Sequence, residues 1–284
     1  MTRSSQIAAL PFPGERMETT RFTPRLKKEI ATFLILTFAL STIFYVILGS
    51  AKTLNLGGGR YVLMLMWCPG VSALITRLIF QHNLRGEGWL PGRPRFAIAG
   101  YVLPIVYASV AYCVVWLTGL GAFDATRFHT GALRFILLGT VLSLSSALGE
   151  ELGWRGFLVP KLAEGTTFTR TALVSGIIWA SWHMPLIILA DYNGGTSVPY
   201  SILCFVVMVI GISFPMAWLR LRSGSVWPAA LLHASHNLYI QGYFDRVTAD
   251  TGITKYLTGE FGAALAITAA ITGFIFWRLR ARLA

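Results

Sequence analysis

Charge is what this chain has least of. Only 13% of its 284 residues are Asp, Glu, Lys or Arg. A soluble domain carries roughly 25%, so there is too little charge to coat a water-facing surface. Acidic residues are the scarcer kind: 12 against 24 basic ones, for a formal net charge of +12. Cysteine is scarce too. Three is few and odd, which rules out a secreted disulfide scaffold. Residues 1–29 lack the apolar core and small-residue cleavage site of a signal peptide, so the first apolar run is read as a retained anchor. There is no Gly-x-Ser-x-Gly elbow, and no cysteine has a motif partner, which argues against a covalent nucleophile. The His-Glu-x-x-His pattern of zinc peptidases is absent. No internal repeat supports an inverted-repeat transporter.

Apolar residues fill the space. They make up 55% of the chain, with a mean hydropathy of +0.61, and so exclude disorder. Eight runs are candidates for spanning helices, at about 30–50, 61–81, 97–121, 133–158, 171–190, 199–219, 226–241 and 261–279. They are too long for barrel strands and do not alternate. The expected fold is an all-α polytopic transmembrane helix bundle of about eight spans, at residues 30–284, preceded by a basic cytoplasmic tail at 1–29. Pro69, Pro104, Pro185 and Pro215 fall inside runs as kinks. Pro160 is expected to end the fourth helix, and Pro228 suits the first turn of the seventh.

A pI near 10.1 often marks a nucleic-acid binder. Here the basic residues sit between apolar runs, so the partner is membrane lipid and nucleic acid is not expected. Threading eight spans puts 18 of the 24 Lys and Arg on one face, Arg77, Arg85, Arg93, Arg155 and Arg220 among them. The other face holds Lys52, Arg60, Arg127, Arg134, Arg246 and Lys255, with Asp124, Asp191, Asp245, Asp250 and Glu260. Positive charge stays inside. The reading is a multi-pass protein of a cell (inner) membrane with both termini cytoplasmic.

Some polar residues fall where they are expensive. A charge at bilayer depth costs at least ~2.5–3.5 kcal/mol and marks function by default. Glu150, Glu151, Arg155, His183, His233, His236 and Asn237 all lie inside three expected spans. Glu151 and Arg155 are four apart with the acid first, the favoured order for a helical ion pair. Glu150 projects about 100° away, which leaves it free for chemistry. Trp179 and His183 share a helix face, as do His233 and Asn237. At a rise of about 1.5 Å per residue, Glu150 lies about 12 Å below the cytoplasmic end of its helix, His183 about 18 Å, and His233 and Asn237 roughly 10 and 16 Å. If the three helices are neighbours, the four groups meet in one cytoplasm-facing cavity. His236 is expected to face another neighbour. Asp191, Tyr192 and Asn193 before Gly194 and Gly195 read as an outer loop turn, and His82 and His129 as solvated.

Three segments carry a family resemblance. EELGWRG at Glu150–Gly156 fits a Glu-Glu-x-x-x-Arg signature, WASWHMP at Trp179–Pro185 an aromatic-x-x-x-His element, and GSVWPAALLHASHN at Gly224–Asn237 a His-x-x-x-Asn element. Together they resemble the CPBP intramembrane proteases, the CAAX protease or Abi (bacteriocin-processing) family, which is related to the Ras-converting CAAX endopeptidase. The resemblance covers about Ser143–Ile240 and implies a protease-like core at about 133–241. It implies an endopeptidase whose peptide or membrane-associated protein substrate is prenylated, leader-bearing or otherwise membrane-bound. By the resemblance, Glu150 is the base that activates water, His183 its partner, and His233 and Asn237 the oxyanion donors. Glu151, Arg155 and Trp179 support them. A divalent metal such as zinc stays open, with Glu150, His183 and His233 as its ligands if present. Two other functions remain: a membrane interaction or immunity protein with a non-catalytic site, and a proton-coupled transporter, which needs a polar path to the outer face.

The topology is tested by reporter fusions. Those at Arg3, Arg93 and Arg282 should read cytoplasmic and one at Asp191 external. An external reading at Arg282 removes the eight-span threading.

Overall fold

The computed structural model describes residues 22–283. Most of the tail expected at 1–29 lies outside the described residues. What is described of it is helical, because α1 (Pro24–Ala51) starts ahead of the apolar run at 30. Thr23 sets that start: its Oγ1 accepts the Leu26 N–H at 3.1 Å, and Pro24 occupies the first turn, where no N–H is needed.

The chain continues as α2 (Arg60–Gln81), α3 (Pro94–Leu117) and α4 (Ala132–Glu151). After α4 the helix widens into a π segment, Leu152–Leu158, and runs on as α5 (Val159–Gly165). Then come α6 (Phe168–Leu189), α7 (Val198–Ser223), α8 (Trp227–His236) with a second π segment at Asn237–Phe244, and α9 (Ala263–Arg278). Among the described residues, seven helical stretches are long and apolar enough to cross a membrane, with α4 through α5 counted as one. The remaining run, the seventh in the sequence, is α8, only ten residues long before its π extension, with Pro228 in its first turn. The architecture is the expected all-α bundle of about eight spans. Pro69, Pro104, Pro185 and Pro215 all lie inside continuous helices.

Helix α7 is the inner post, packed on α6 and α9. Its most apolar stretch is 67% buried, against 11% for the α4 span. Helix α4 therefore faces lipid along most of its length, with Leu133, Leu137 and Val141 exposed. Only its C-terminal end, Ala147 and Gly149–Glu151, goes inside. Helix α8 packs on α3 and α4, and α2 packs on α1 and α4. A two-stranded antiparallel ribbon, Ala122–Phe123 with Thr248–Ala249, joins the loop after α3 to the segment following α8.

Pro160 does not end the fourth helix. In the π segment an N–H bonds five residues back, as Val159 N–H does to the Trp154 carbonyl. The next N–H in the series would belong to Pro160, which has none. Two carbonyls thus lack a donor: Arg155 by the five-residue count and Gly156 by the four-residue count. Buried arginines supply the bonds. Arg220 Nε donates to the Arg155 carbonyl at 2.8 Å, and Arg77 Nη2 to the Gly156 carbonyl at 3.3 Å. Both guanidiniums also hold the loop between α2 and α3. Arg220 donates to the Gly86 carbonyl, Arg77 to that of Arg85, and Arg77 Nε to the fully buried Glu87 carboxylate. Gly156 makes room for that carboxylate, since a Cβ there would lie 2.1 Å from Glu87 Oε2. These arginines, counted as topogenic charges in the sequence, act as internal donors.

This origin for the Arg220 contact predicts a coupled pair of substitutions. Arg220→Ala leaves a buried carbonyl bare, at a cost of about 1–3 kcal/mol. Pro160→Ala restores an N–H on the same turn, so it should rescue the Arg220→Ala protein by about 1 kcal/mol or more in a double-mutant cycle. Unfolding of the four purified proteins measures it, and strictly additive costs would refute the link.

Candidate active site

Glu150 is the penultimate residue of α4 and is 1% exposed. One oxygen, Oε2, accepts two indole N–H groups: Trp179 Nε1 at 2.7 Å and Trp154 Nε1 at 3.3 Å. Trp154 lies one turn further on the same helix, and Trp179 comes across from α6. Oε1 takes no hydrogen bond from the described residues. The carboxylate is thereby oriented with one oxygen tied and one open.

Glu151 points elsewhere. Its Oε1 accepts Arg155 Nη1 at 2.8 Å and His233 Nδ1 at 3.0 Å. A carboxylate only accepts, so Nδ1 carries the proton and Nε2 is the ring atom left for chemistry. The Arg155 guanidinium lies over the Trp179 ring, 4.1 Å from its centroid, and Nη2 reaches Ser213 Oγ at 3.4 Å. Trp179 also packs edge-on against His233 and His183, at ring separations of 5.3 and 5.9 Å. Glu151 and Trp179 thus touch candidate catalytic residues directly, and Arg155 reaches them through these two.

His183 is fixed in the same manner from α6. Its Nδ1 meets the Trp179 carbonyl at 2.9 Å, which again makes Nδ1 the donor and Nε2 the acceptor. Asn237 opens the π segment after α8. Glu150, His183, His233 and Asn237 all line one cavity of about 400 Å³. The three helices are neighbours around it, as the sequence reading required.

His236 faces another neighbour, Tyr107 of α3, as expected, but it lines the same cavity as well, which the angle did not suggest. Its Nδ1 meets the Tyr107 hydroxyl at 2.5 Å, and its Nε2 lies 3.2 Å from Glu260 Oε1. Tyr192 and Glu260, both assigned to outer loops, also line the cavity, and the Tyr192 hydroxyl donates to Glu260 Oε2 at 2.5 Å. The i, i+4 spacing of Trp154 from Glu150 was readable in the sequence. The inward fold of Tyr192 and Glu260 was not, because loop residues carry no periodicity.

The metal expectation is tested by the donor set. No three His, Cys, Asp or Glu side chains among the described residues group closely enough to hold a metal ion, and Glu150 commits one oxygen to two indoles. Arranged this way, Glu150, His183 and His233 do not fit as a ligand shell.

Residues 132–239 match the family described as Type II CAAX prenyl endopeptidase Rce1-like. The matched stretch is under half of the chain. CAAX prenyl protease 2 of Methanococcus maripaludis is 29% identical over 134 residues, which cover 46% of this chain and 47% of that relative. The match thus spans about half the length of each. The family stretch holds Glu150, Glu151, Arg155, Trp179, His183, His233 and Asn237. Tyr107, Gln241 and Glu260 lie outside it.

The ion pair generates its own prediction. Arg155→Ala leaves Glu151 charged, buried and unpaired, at about 3–5 kcal/mol. Thermal stability of the purified protein should fall along with activity. Full stability with lost activity would mean that Arg155 acts on substrate and not on Glu151.

Proposed function

We propose that this chain is an intramembrane endopeptidase, which hydrolyses peptide bonds of membrane-associated, prenylated CAAX-type or leader-bearing substrates through a water activated by Glu150 and His183. The observation that carries the reading is the half-tied Glu150 carboxylate: two indoles hold Oε2 while Oε1 is left to the cavity. The Rce1-like match over 132–239 supports the reaction class.

Amide hydrolysis needs a positioned water, a stabilised oxyanion and a proton for the leaving amine. Glu150 Oε1 takes a proton from the water. His183 Nε2, an acceptor with its Nδ1–H committed, orients the water's second hydrogen. The water oxygen bonds to the substrate carbonyl carbon, and negative charge moves to the carbonyl oxygen. The Asn237 carboxamide N–H donates to that oxygen. His233 donates there through Nε2 as an imidazolium, whose charge Glu151 balances at Nδ1. Glu150 then returns its proton to the amine as the C–N bond breaks. In this reading the protein sits in an inner membrane with both termini cytoplasmic, and the cavity, lined by Leu54, Tyr192 and Glu260, reaches toward the opposite face.

A second reading, proton-coupled transport, is favoured by one observation: the polar lining continues from His236 to Glu260 and Tyr192. Proton uptake by proteoliposomes on addition of a candidate solute separates the two.

Purified protein with candidate peptides tests the first. Glu150→Gln keeps shape and removes the base, so turnover should collapse while folding and peptide binding persist. Asn237→Ala should lower the rate by about 10²–10³. Ordinary peptidase turnover by Glu150→Gln ends the assignment.

A further inference from the structure

The cavity's lining includes two carboxylates and three histidines but no Lys or Arg. Glu150 belongs to the proposed reaction. Glu260 does not, and it enters the cavity from the loop before α9.

Hydrogen-bond directions fix the charge of this wall. Tyr107 is 3% exposed, and its hydroxyl has one partner among the described residues, His236 Nδ1. If His236 were an imidazolium, Nδ1 would donate and the buried Tyr107 O–H would have no acceptor. With a neutral ring the Tyr107 O–H keeps its acceptor in Nδ1 and Tyr192 O–H donates to Glu260 Oε2, while Nε2 faces Glu260 Oε1 at 3.2 Å without completing a hydrogen bond. Burial pushes the Glu260 carboxyl up, and hydrogen bonds, those of Tyr192 and Gln241 among them, pull it down. The wall therefore carries one net negative charge. Glu260 is 8% exposed, and no Lys or Arg among the described residues pairs with it. A buried charge met only by neutral donors is poorly compensated.

We infer that the Glu260–His236–Tyr192 wall is a recognition subsite for a basic side chain, lysine or arginine, of the bound peptide. The inference rests on the endopeptidase reading and names a specificity of the same cavity. The Tyr192 ring lies 6.4 Å from the His183 ring, and an extended peptide advances about 3.3 Å per residue. The basic residue therefore sits one to three positions from the cleaved bond. A metal ion is the poorer occupant, because no third donor of the right kind joins His236 and Glu260.

The test uses the full chain in lipid nanodiscs and quenched-fluorescence peptides that differ only in lysine, norleucine or glutamate at each of three positions on either side of the bond. Lysine should exceed norleucine in kcat/KM by about tenfold at one position, with glutamate slowest. Glu260→Gln should bring the lysine-to-norleucine ratio close to one, whatever it does to the absolute rate. If thermal unfolding shows that variant to be misfolded, Tyr192→Phe, which deletes a single neutral donor to the carboxylate, must shift the same ratio, and an unchanged ratio overturns the subsite. A binding arm needs no turnover: on the Glu150→Gln protein, tryptophan quenching should give the lysine peptide the lower Kd by a similar factor. Equal kcat/KM and equal Kd for lysine and norleucine overturn the subsite and leave the endopeptidase reading standing. No cleavage of any peptide overturns the endopeptidase reading, and the binding arm then decides the subsite by itself.

Discussion

One carboxylate in an apolar interior holds this site together. Glu151 accepts Arg155 from its own helix and His233 from α8 through the same oxygen. A buried ion pair is weak support for stability, since apolar groups of the same volume often do as well or better. This pair is not even fully satisfied. Glu151 Oε2 and Arg155 Nε are buried without a hydrogen-bond partner among the described residues, at about 1–3 kcal/mol each. A network kept only for stability has no use for such atoms. Its return is geometric: it fixes the His233 tautomer and locks α4 to α8 at the depth of Glu150. Trp179 adds α6, donating to Glu150 while its ring lies against Arg155, His183 and His233.

The backbone bends to that requirement. Helices α4 and α8, which carry Glu150 and His233 near their C-terminal ends, both widen into π turns there, at Leu152 and at Asn237. π turns are uncommon and gather at functional sites. The first leaves carbonyls that Arg77 and Arg220 must satisfy, and the loop between α2 and α3 completes the arrangement. That loop also reaches α8. Val226 N–H bonds to the Gly88 carbonyl at 3.0 Å, and Trp227 Nε1 to that of Trp89 at 2.7 Å. A single connection thus braces the far end of the Glu150 helix and the near end of the His233 helix. Close packing does the same between α4 and α2, where a Cβ on Gly153 would fall 2.4 Å from Pro69.

What the sequence made legible follows from which signals are periodic. Apolar runs located the bundle, because nothing in a bilayer core but a helix or closed barrel satisfies its own backbone. The i, i+4 rule paired Glu151 with Arg155, and matched depth brought Glu150, His183, His233 and Asn237 to one cavity. The failures share a cause. Pro160 read as a stop because side-chain donors from other helices cannot be seen along a helix. Arg77 and Arg220 read as topogenic charges for the same reason. His236 was placed by its angle from His233, and that angle did not show that the cavity lies beside it as well. Glu260 and Tyr192 sat in loops, where only the tertiary fold says which way a side chain turns.

Those loops are as well fixed as the helices. Tyr112, buried on α3, accepts the Gly259 N–H at 2.9 Å and donates its own proton to Asp245. Gly259 has φ +71°, a left-handed conformation that suits glycine. Beyond it, the Ala264 N–H returns to the Leu257 carbonyl at 3.0 Å, closing the turn into α9. Glu260 is therefore presented by a turn tied to α3 and to the residue just after the second π segment. Asn237 opens that same segment. Opposite ends of one widened helix thus carry Asn237, the proposed oxyanion donor, and the Asp245 contact that leads through Tyr112 to the turn presenting Glu260, the proposed basic subsite. The proposed chemistry and the proposed specificity therefore share one structural element.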